Sequence, residues 1–231
     1  MRLDKYIAET LKVSRKDAKT IIKKKLIKIN GEIEKSDNYN VKLESDIVMY
    51  QDQQLIYIQN IYLVLHKPSG YVSARIDNLH KTVMELIPNE FLVKDLTIVG
   101  RLDIDTEGVL LLSNDGQLVH NLTSPNHEVS KTYYVEFEGT LIDSAEELVK
   151  TGIAIDDYIT KPGFLNTISD YQAEITISEG KFHQVKKMFE KLGTKVTYLK
   201  RIKFDIITLD NLSKGEVRKL TEQEIEILKG R

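Results

Sequence analysis

The densest cluster of residues that could do chemistry is the segment Val99-Gly100-Arg101-Leu102-Asp103-Ile104-Asp105-Thr106-Glu107-Gly108. Apolar residues flank it, so the pattern predicts a loop between two short strands, with acidic side chains at a sheet edge. Arg101 lies close enough in sequence to pair with a carboxylate and lower its pKa by roughly one to three units. An ionised, oriented carboxylate can act as a nucleophile or a base. The same residue types suit a structural turn equally well.

Two other chemistries fit these carboxylates. Asp103 with Asp105 or Glu107 could be the acid and nucleophile of an enzyme that hydrolyses glycosidic bonds. The same three side chains could hold a divalent cation if they are extended, although the neighbouring Arg101 argues against it. The five histidines show no metal-ligand spacing, and the sequence therefore predicts no metal site.

The composition excludes several classes of protein. The 231 residues contain no cysteine, which excludes disulfides, thiolate zinc sites and a cysteine nucleophile. No apolar run approaches the roughly 18 residues that span a bilayer, and the first residues lack the apolar part of a secretory signal. We therefore expect a soluble, cytoplasmic protein without membrane association.

The formal net charge of −2 conceals two basic segments. Residues 1–30 carry ten Lys or Arg against three acids, and residues 181–203 carry eight against Glu190 alone. One such run is most often a solvated helix face. Two of them on an otherwise acidic chain predict a polyanion that is held at defined places.

Residues 1–50 predict two helices and a hairpin. A first helix follows from the apolar stripe of Leu3, Ile7 and Leu11, and Ser14 can cap the start of a second. The strongest hairpin signal is Asn30-Gly31, because both residues tolerate positive φ. One face of the second helix is apolar, and the opposite face carries basic side chains. These are Arg15, Lys16, Lys19 and Lys23.

Beyond residue 60 the chain is rich in predicted strands. They lie at Ile61–Leu65, Ile98–Val99, Val109–Leu112, Thr132–Phe137, Ala173–Ile177 and Lys195–Tyr198, with helices at about 82–87, 143–151, 181–192 and 221–228. Because strands and helices do not alternate regularly, we predict an α+β fold with a mixed, largely antiparallel sheet flanked by helices. Residues 51–60 are polar and predict the connection between two domains, 1–58 and 59–231.

The first domain resembles an S4 domain, a small RNA-binding module. The resemblance is carried by Arg2-Leu3-Asp4-Lys5, Ser14-Arg15-Lys16-Asp17-Ala18 and Ile29-Asn30-Gly31. It implies contacts with RNA phosphates, which supply affinity and orientation without reading sequence. The implied RNA-binding residues are Arg2, Lys5, Ser14, Arg15, Lys16, Lys19 and Lys23.

The segment around Asp103 resembles the signature of pseudouridine synthases, in which the Asp after Arg-Leu is the required carboxylate. Further matches follow the same order: Lys67-Pro68-Ser69-Gly70, Lys131-Thr132-Tyr133 and the stretch 179–188. The resemblance covers essentially the whole chain and is closest to the RsuA type, which modifies small-subunit (16S) ribosomal RNA. His66 departs from the usual Asn, and we expect that change to leave the chemistry intact.

The resemblance implies four catalytic residues. Asp103 would attack the ribose of the target uridine, or take a proton from it, so that the N-glycosidic bond breaks. Arg101 would hold the RNA helix open and occupy the space of the extruded nucleotide. Tyr133 would stack on the freed uracil and assist removal of its C5 proton. Lys186 would pair with Asp103 and keep it anionic. Without the resemblance, Tyr133 would be a packing residue and Lys186 a solvated helix charge.

The implied partner is ribosomal RNA or a small-subunit assembly intermediate, which a monomer could bind. Lys67, His183 and Gln184 are the implied RNA contacts of the second domain. The reaction needs no cofactor because substrate and product are isomers. The alternatives are a large-subunit (23S) synthase of the same family and a non-catalytic S4-type RNA-binding assembly factor.

Overall fold

A computed structural model describes residues 1–57 and 60–230 of the chain. The chain divides into two compact units, residues 1–59 and 60–231, and each unit has its own apolar core. The predicted domain boundary at residues 58 and 59 lies outside the described residues and stays a prediction. Within the described ranges, no helix combines the length and apolar character that a membrane span requires.

The described part of the first unit, residues 1–57, contains two helices and four short strands: α1 (Leu3–Thr10), α2 (Arg15–Lys23), β1 (Ile27–Ile29), β2 (Glu32–Ile33), β3 (Val48–Tyr50) and β4 (Gln53–Leu55). The strands form one antiparallel sheet in the order β2-β1-β3-β4. Ser14 caps α2 as predicted, because its Oγ accepts a hydrogen bond from the N–H of Asp17 at 3.1 Å. Asn30 (φ 52°) and Gly31 (φ 91°) form the predicted two-residue turn between β1 and β2.

The interpretation of residues 51–60 as a polar connection is wrong for residues 53–55, which form β4. Gln51 (φ 48°) and Asp52 (φ 65°) make a second tight turn, and β3 pairs with β4 beyond it. Polar side chains are compatible with this strand because β4 lies at an edge of the sheet, where water covers one side.

The second unit contains eleven described strands: β5 (Tyr62–Lys67), β6 (Thr97–Val99), β7 (Glu107–Ser113), β8 (Lys131–Gly139), β9 (Ala154–Ile155), β10 (Tyr158–Ile159), β11 (Phe164–Ser169), β12 (Gln172–Ile177), β13 (Thr194–Phe204), β14 (Ile207–Thr208) and β15 (Val217–Lys219). Its described α-helices are α3 (Gly116–Thr123), α4 (Ala145–Thr151), α5 (Gln184–Lys191) and α6 (Glu222–Lys229). The main sheet runs β11-β12-β8-β13-β7-β5-β15, with β14 beside β13 and β6 beside β7.

The predicted fold class is confirmed. Among the described strands of the main sheet, β7 and β13 pair in parallel and the other pairs are antiparallel. The predicted helix at about 82–87 is a short 3-10 helix, Val83–Leu86. In the second unit, no element was predicted at α3 or at the strands β9, β10, β11, β14 and β15. Asn114-Asp115-Gly116 is typical of a turn, whereas Asp115 instead caps α3 by accepting from the N–H of Leu118.

The sheet positions the loop that was predicted to carry the chemistry. β6 and β7 form an antiparallel hairpin, and residues 100–106 connect them. β13 passes between β7 and β8, and its register places Arg201 beside Gly108 of β7 and Tyr133 of β8. Gly108 has φ +112°, and a Cβ there would lie 2.1 Å from the backbone oxygen of Arg201. The close parallel pairing therefore requires glycine.

Candidate active site

Asp103 lies in an open cleft, and the space between its walls, including the part that is open to solvent, is about 400 Å³. Its side chain is 29% exposed, so a ligand can reach the carboxylate. Tyr133 is buried in the main core, yet it also lines the cleft. The fold thus brings together six of the predicted site residues around one cleft. They are Arg101, Asp103, Tyr133, His183, Gln184 and Lys186.

Two basic side chains approach Asp103 from α5 and the residue before it. Nζ of Lys186 and Nε2 of His183 each lie 3.8 Å from Oδ2 of Asp103. Lys186 is closer to Asp105, with 2.7 Å between its Nζ and both carboxylate oxygens. Burial raises the pKa of Asp105, but the hydrogen bond and charge of Lys186 outweigh it and hold that pKa below its usual value. Lys186 therefore pairs with Asp103, as predicted, and more closely with Asp105, which was not predicted.

Arg101 is exposed at the cleft. The expected pairing of Arg101 with a neighbouring carboxylate is wrong, since the structure shows no ion pair for Arg101 with any described residue. The cations that lie near Asp103 come from a segment about eighty residues later in the chain. The guanidinium of Arg101 is therefore available to a ligand that enters the cleft.

Lys67 holds the backbone of the Asp103 loop. Its side chain is fully buried, and Nζ donates to the carbonyl oxygens of Asp103 (3.0 Å), Ile104 (3.2 Å) and Thr106 (2.7 Å). Burial lowers the pKa of Lys67 to about 8, although nearby carboxylates act in the opposite direction. The prediction that Lys67 contacts RNA is wrong for this conformation, because protein atoms enclose the ammonium. Its role is to position the loop.

The lowered pKa of Lys67 gives a pH-dependent prediction. The unfolded chain binds a proton at this lysine up to about pH 10.5, whereas the folded chain releases it near pH 8. The free energy of unfolding should therefore rise with pH in this window. We expect the difference in that free energy, wild type minus Lys67→Met, to rise by roughly 3 kcal/mol between pH 7 and 10.5. Urea denaturation of both proteins across this range measures it, and a constant difference would contradict the assignment.

Arg201 was not predicted as a site residue, yet it is one of the largest fully buried side chains. It donates to the carbonyl oxygens of Gly100 (2.7 Å) and Val109 (2.8 Å), and its Nη1 lies 3.5 Å from the hydroxyl of Tyr133. Arg201 therefore connects the loop to Tyr133. Arg201 belongs to the basic segment 181–203, which was predicted to contact a polyanion. Its one sequence signal was the two-residue spacing from the apolar Leu199, which places both on one strand face.

Gln184 is also a positioning residue rather than an exposed RNA contact. Its side chain is buried, and Nε2 donates to a carboxylate oxygen of Glu179 at 2.7 Å. Its Oε1 accepts from the backbone N–H of Lys181 at 3.0 Å. The amide thus fixes the segment that leads into α5. The predicted RNA contact of Gln184 is wrong, because both ends of its amide are already bonded within the protein.

Of the three carboxylates of the loop, Asp103 lines the cleft, whereas Asp105 and Glu107 are not among its lining residues. Glu107 accepts a hydrogen bond from the hydroxyl of Tyr198 at 2.6 Å and forms an ion pair with Nζ of Lys214 at 2.8 Å. Asp105 is occupied by Lys186. A hydrolase needs two carboxyl groups that face one substrate, and a cation site needs several that converge. This arrangement contradicts both alternatives and favours chemistry that uses Asp103 alone.

Comparison with known families decides the classification. A family model described as RNA pseudouridylate synthase matches residues 61–191, and one described as S4 domain matches residues 1–48. The chain belongs to the RNA pseudouridylate synthase family.

Individual relatives resemble this synthase over nearly its whole length. Ribosomal small subunit pseudouridine synthase A of Haemophilus influenzae is 41% identical, with 99% of each chain covered. The protein of the same name from Escherichia coli K12 is 40% identical, over 97% of this chain and 98% of the relative. A crystal structure of a pseudouridylate synthase matches with a TM-score of 0.69 and 39% identity, over 99% of each chain.

In the S4 domain of this synthase, predicted RNA-binding side chains surround Asp4. This carboxylate is buried, and it pairs with Arg2 (3.1 Å), Arg15 (2.8 Å) and Lys19 (3.9 Å). Burial raises the pKa of Asp4, but the hydrogen bonds and charges of the two arginines outweigh it and hold the pKa at about 2. The three cations remain about half exposed. Asp4 therefore orients them while their outer surfaces stay accessible.

The other predicted RNA-binding residues of the S4 domain differ in their surroundings. Lys16 and Lys23 are exposed on α2. Lys5 lies 3.9 Å from Glu9 on the exposed side of α1. The hydroxyl of Ser14 is committed to the cap of α2, where it also donates to Asp17 at 2.6 Å. The lysines are thus accessible from solvent, whereas the hydroxyl of Ser14 has a structural role.

Proposed function

We propose that this synthase isomerises a specific uridine of small-subunit ribosomal RNA to pseudouridine. The observation that carries the proposal is Asp103, a carboxylate that lines an open cleft together with Tyr133, between the basic groups of His183 and Lys186. The small-subunit assignment is supported by the printed names of the relatives from H. influenzae and E. coli, which match nearly the whole chain.

The proposed reaction begins when the uridine leaves its stack and enters the cleft, at a cost of a few kcal/mol. Asp103 attacks the ribose or takes a proton from it, and the bond between N1 of uracil and C1′ of ribose breaks. The uracil rotates and its C5 bonds to C1′. If Asp103 had attacked C1′, the bond between Asp103 and C1′ breaks in this step; if it had taken a ribose proton, that proton returns to the ribose. The proton leaves C5 with the assistance of Tyr133, and N1 gains a proton. Atoms balance without a cofactor, because the product is an isomer of the substrate.

The surroundings of Asp103 suit this role. Nε2 of His183 and Nζ of Lys186 each lie 3.8 Å from its carboxylate and border the place where the ribose would bind. The exposed guanidinium of Arg101 can fill the space that the extruded nucleotide leaves in the RNA helix. Lys67 and Arg201 hold the loop that carries Asp103. A catalytic group that is fixed before substrate arrives loses little free energy to reorganisation during the reaction.

The proposed partner is ribosomal RNA, either alone or in a small-subunit assembly intermediate. The S4 domain would supply affinity through phosphate contacts, while the second unit acts on one nucleotide. We further expect the protein to act as a monomer in the cytoplasm.

The direct experiment is to map pseudouridine in both ribosomal RNAs from cells with and without this gene. We expect the modification to disappear at a single position of the small-subunit RNA and to return with the wild-type gene. It should not return with Asp103→Asn. Loss at a position of the large-subunit RNA would assign the enzyme to that subunit. An unchanged map of both RNAs would overturn the enzymatic function and favour a non-catalytic RNA-binding protein.

The exposed lysines of α2 give a prediction on salt dependence. Lys16→Ala with Lys23→Ala should remove two phosphate contacts without disturbing the cluster around Asp4. The log–log slope of RNA affinity against salt should then flatten by roughly 1.4 to 1.8 units, since each contact contributes about 0.7 to 0.9. Turnover at saturating RNA should change little, because Asp103 is untouched. Binding titrations across a salt series measure the slope, and single-turnover rates with RNA in excess measure the chemistry.

The matched control carries Lys35→Ala with Lys42→Ala, which removes the same charge from exposed positions outside α2. Its slope should stay close to that of the wild type. Equal flattening in both double variants would show that the effect follows total charge, and the assignment of α2 as the RNA-binding face would be lost.

A further inference from the structure

An exposed aromatic ring lies beside the residues that line the cleft. The side chain of Phe182 is 68% exposed, although its two chain neighbours, Lys181 and His183, both line the cleft. Its ring stacks on the imidazole of His183, with 3.8 Å between ring centroids and 19° between planes. His183 in turn lies 3.8 Å from the carboxylate of Asp103. The imidazole of His183 therefore lies between the exposed ring of Phe182 and the carboxylate of Asp103.

We propose that the stacked pair Phe182–His183 is a base-stacking platform at the mouth of the cleft, which receives the nucleobase next to the extruded uridine. The inference rests on the proposed function and identifies a positioning residue for it. When one nucleotide leaves a helix, its neighbours lose a stacking partner, and an aromatic side chain can replace that partner. The platform would thus compensate part of the cost of extrusion.

The platform is fixed before RNA binds. His183 has φ 52°, a left-handed conformation that is uncommon for residues other than glycine. The amide of Gln184 bonds to Glu179 and to the backbone of Lys181, and so holds both sides of the aromatic pair. A rigid surface loses little conformational entropy on binding, which favours stacking.

The charge around the ring fits a nucleic acid. Nζ of Lys187 lies 5.5 Å from the centre of the Phe182 ring and also pairs with the exposed carboxylate of Asp156 at 2.5 Å, so a paired cation accompanies the exposed apolar surface. A base on the ring would bring its phosphate near this lysine, which is the combination that single-stranded RNA sites use. A single exposed phenylalanine needs no explanation by itself. Phe164, which is 67% exposed on β11, is such a residue and serves as a comparison.

The first test measures the affinity of each variant for an RNA fragment that contains the uridine identified by the mapping experiment. Phe182→Ala should weaken affinity for it by roughly 5- to 150-fold, the range that alanine substitution gives for a base stacked on an aromatic ring. Phe182→Tyr should retain the affinity, and Phe182→Leu should not, because leucine keeps apolar area but lacks a flat face. Phe164→Ala should leave affinity unchanged. In Phe182→Ala and Phe182→Leu, turnover at saturating RNA should fall much less than affinity.

A double-mutant cycle, which combines the protein substitution with a modified RNA, tests whether Phe182 contacts a base that flanks the uridine. Replacing one base that flanks the uridine by an abasic nucleotide should weaken wild-type binding, whereas Phe182→Ala should be insensitive to the same replacement. The platform would be overturned if the losses of affinity from Phe182→Ala and from the abasic replacement were additive at both flanking positions. It would also be overturned if Phe182→Ala and Phe164→Ala changed affinity equally. Normal wild-type turnover in those experiments would leave the proposed function intact. Failure of the wild type to form pseudouridine would instead overturn the proposed function.

Discussion

Asp103→Asn is expected to abolish pseudouridine formation while RNA affinity stays within a few-fold of the wild type. The amide retains the shape of the carboxylate but removes the anion that acts on the ribose. Affinity should persist because phosphate contacts supply most of it. The side chain of Asp103 is 29% exposed in an open cleft, so the substitution weakens its contacts with His183 and Lys186 but removes no group from the apolar core. Release of tritium from RNA that is labelled at C5 of uracil measures the reaction, since the C5 proton leaves during isomerisation.

Asp105→Asn is the matched control for this prediction. It makes the same change two residues away, in a carboxylate that pairs with Lys186 and is 61% exposed. We expect this variant to retain measurable turnover. If purified Asp103→Asn formed product at more than a trace of the wild-type rate, Asp103 would be neither the nucleophile nor the base. A complete loss in both variants would show that the two carboxylates act together.

Tyr133→Phe is expected to lower turnover by roughly 10²- to 10⁴-fold, the contribution of a positioned acid or base, with near-normal RNA binding. The phenyl ring keeps the surface that stacks on uracil, whereas the lost hydroxyl is the group that assists removal of the C5 proton. The fold should tolerate the change, because the long contact from Arg201 at 3.5 Å is the one described hydrogen bond of that hydroxyl. Single-turnover rates at saturating RNA separate the loss of chemistry from any loss of affinity.

The neighbouring Tyr134→Phe provides the control. Its hydroxyl donates to Glu136 at 2.9 Å on the partly exposed side of β8, and successive side chains of a strand point to opposite faces. This variant should keep wild-type turnover. If Tyr133→Phe also kept it, Tyr133 would be a packing residue of the core and would have no part in proton transfer.

The features that the sequence by itself predicted are local. The cap at Ser14 and the turn at Asn30-Gly31 depend on residues within one turn of chain, so their side-chain chemistry determines them wherever the segment lies. The strand pattern likewise predicted a mixed, largely antiparallel sheet. The motif around Asp103 indicated the family, and the matches to the family models confirm that assignment.

Local signals also explain the errors. Asn114-Asp115-Gly116 has the composition of a turn, and the same side-chain oxygen that makes a turn also caps a helix. The strand β4 was interpreted as a connection because it is polar, and an edge strand can be polar when water covers one side. In both cases the residue types suit two structures, and packing selects between them.

Only the tertiary structure decided which basic residues face solvent and which are enclosed. Lys67 and Arg201 have the same charge as the lysines of α2, yet both are buried against carbonyl groups of the Asp103 loop. The partner of Lys186 was decided in the same way, by packing of α5 against that loop. These contacts join residues that are 39 to 101 positions apart in the chain. Backbone carbonyl groups are common to every residue, so no side-chain pattern marks those that will accept a buried cation until the sheet register brings the segments together.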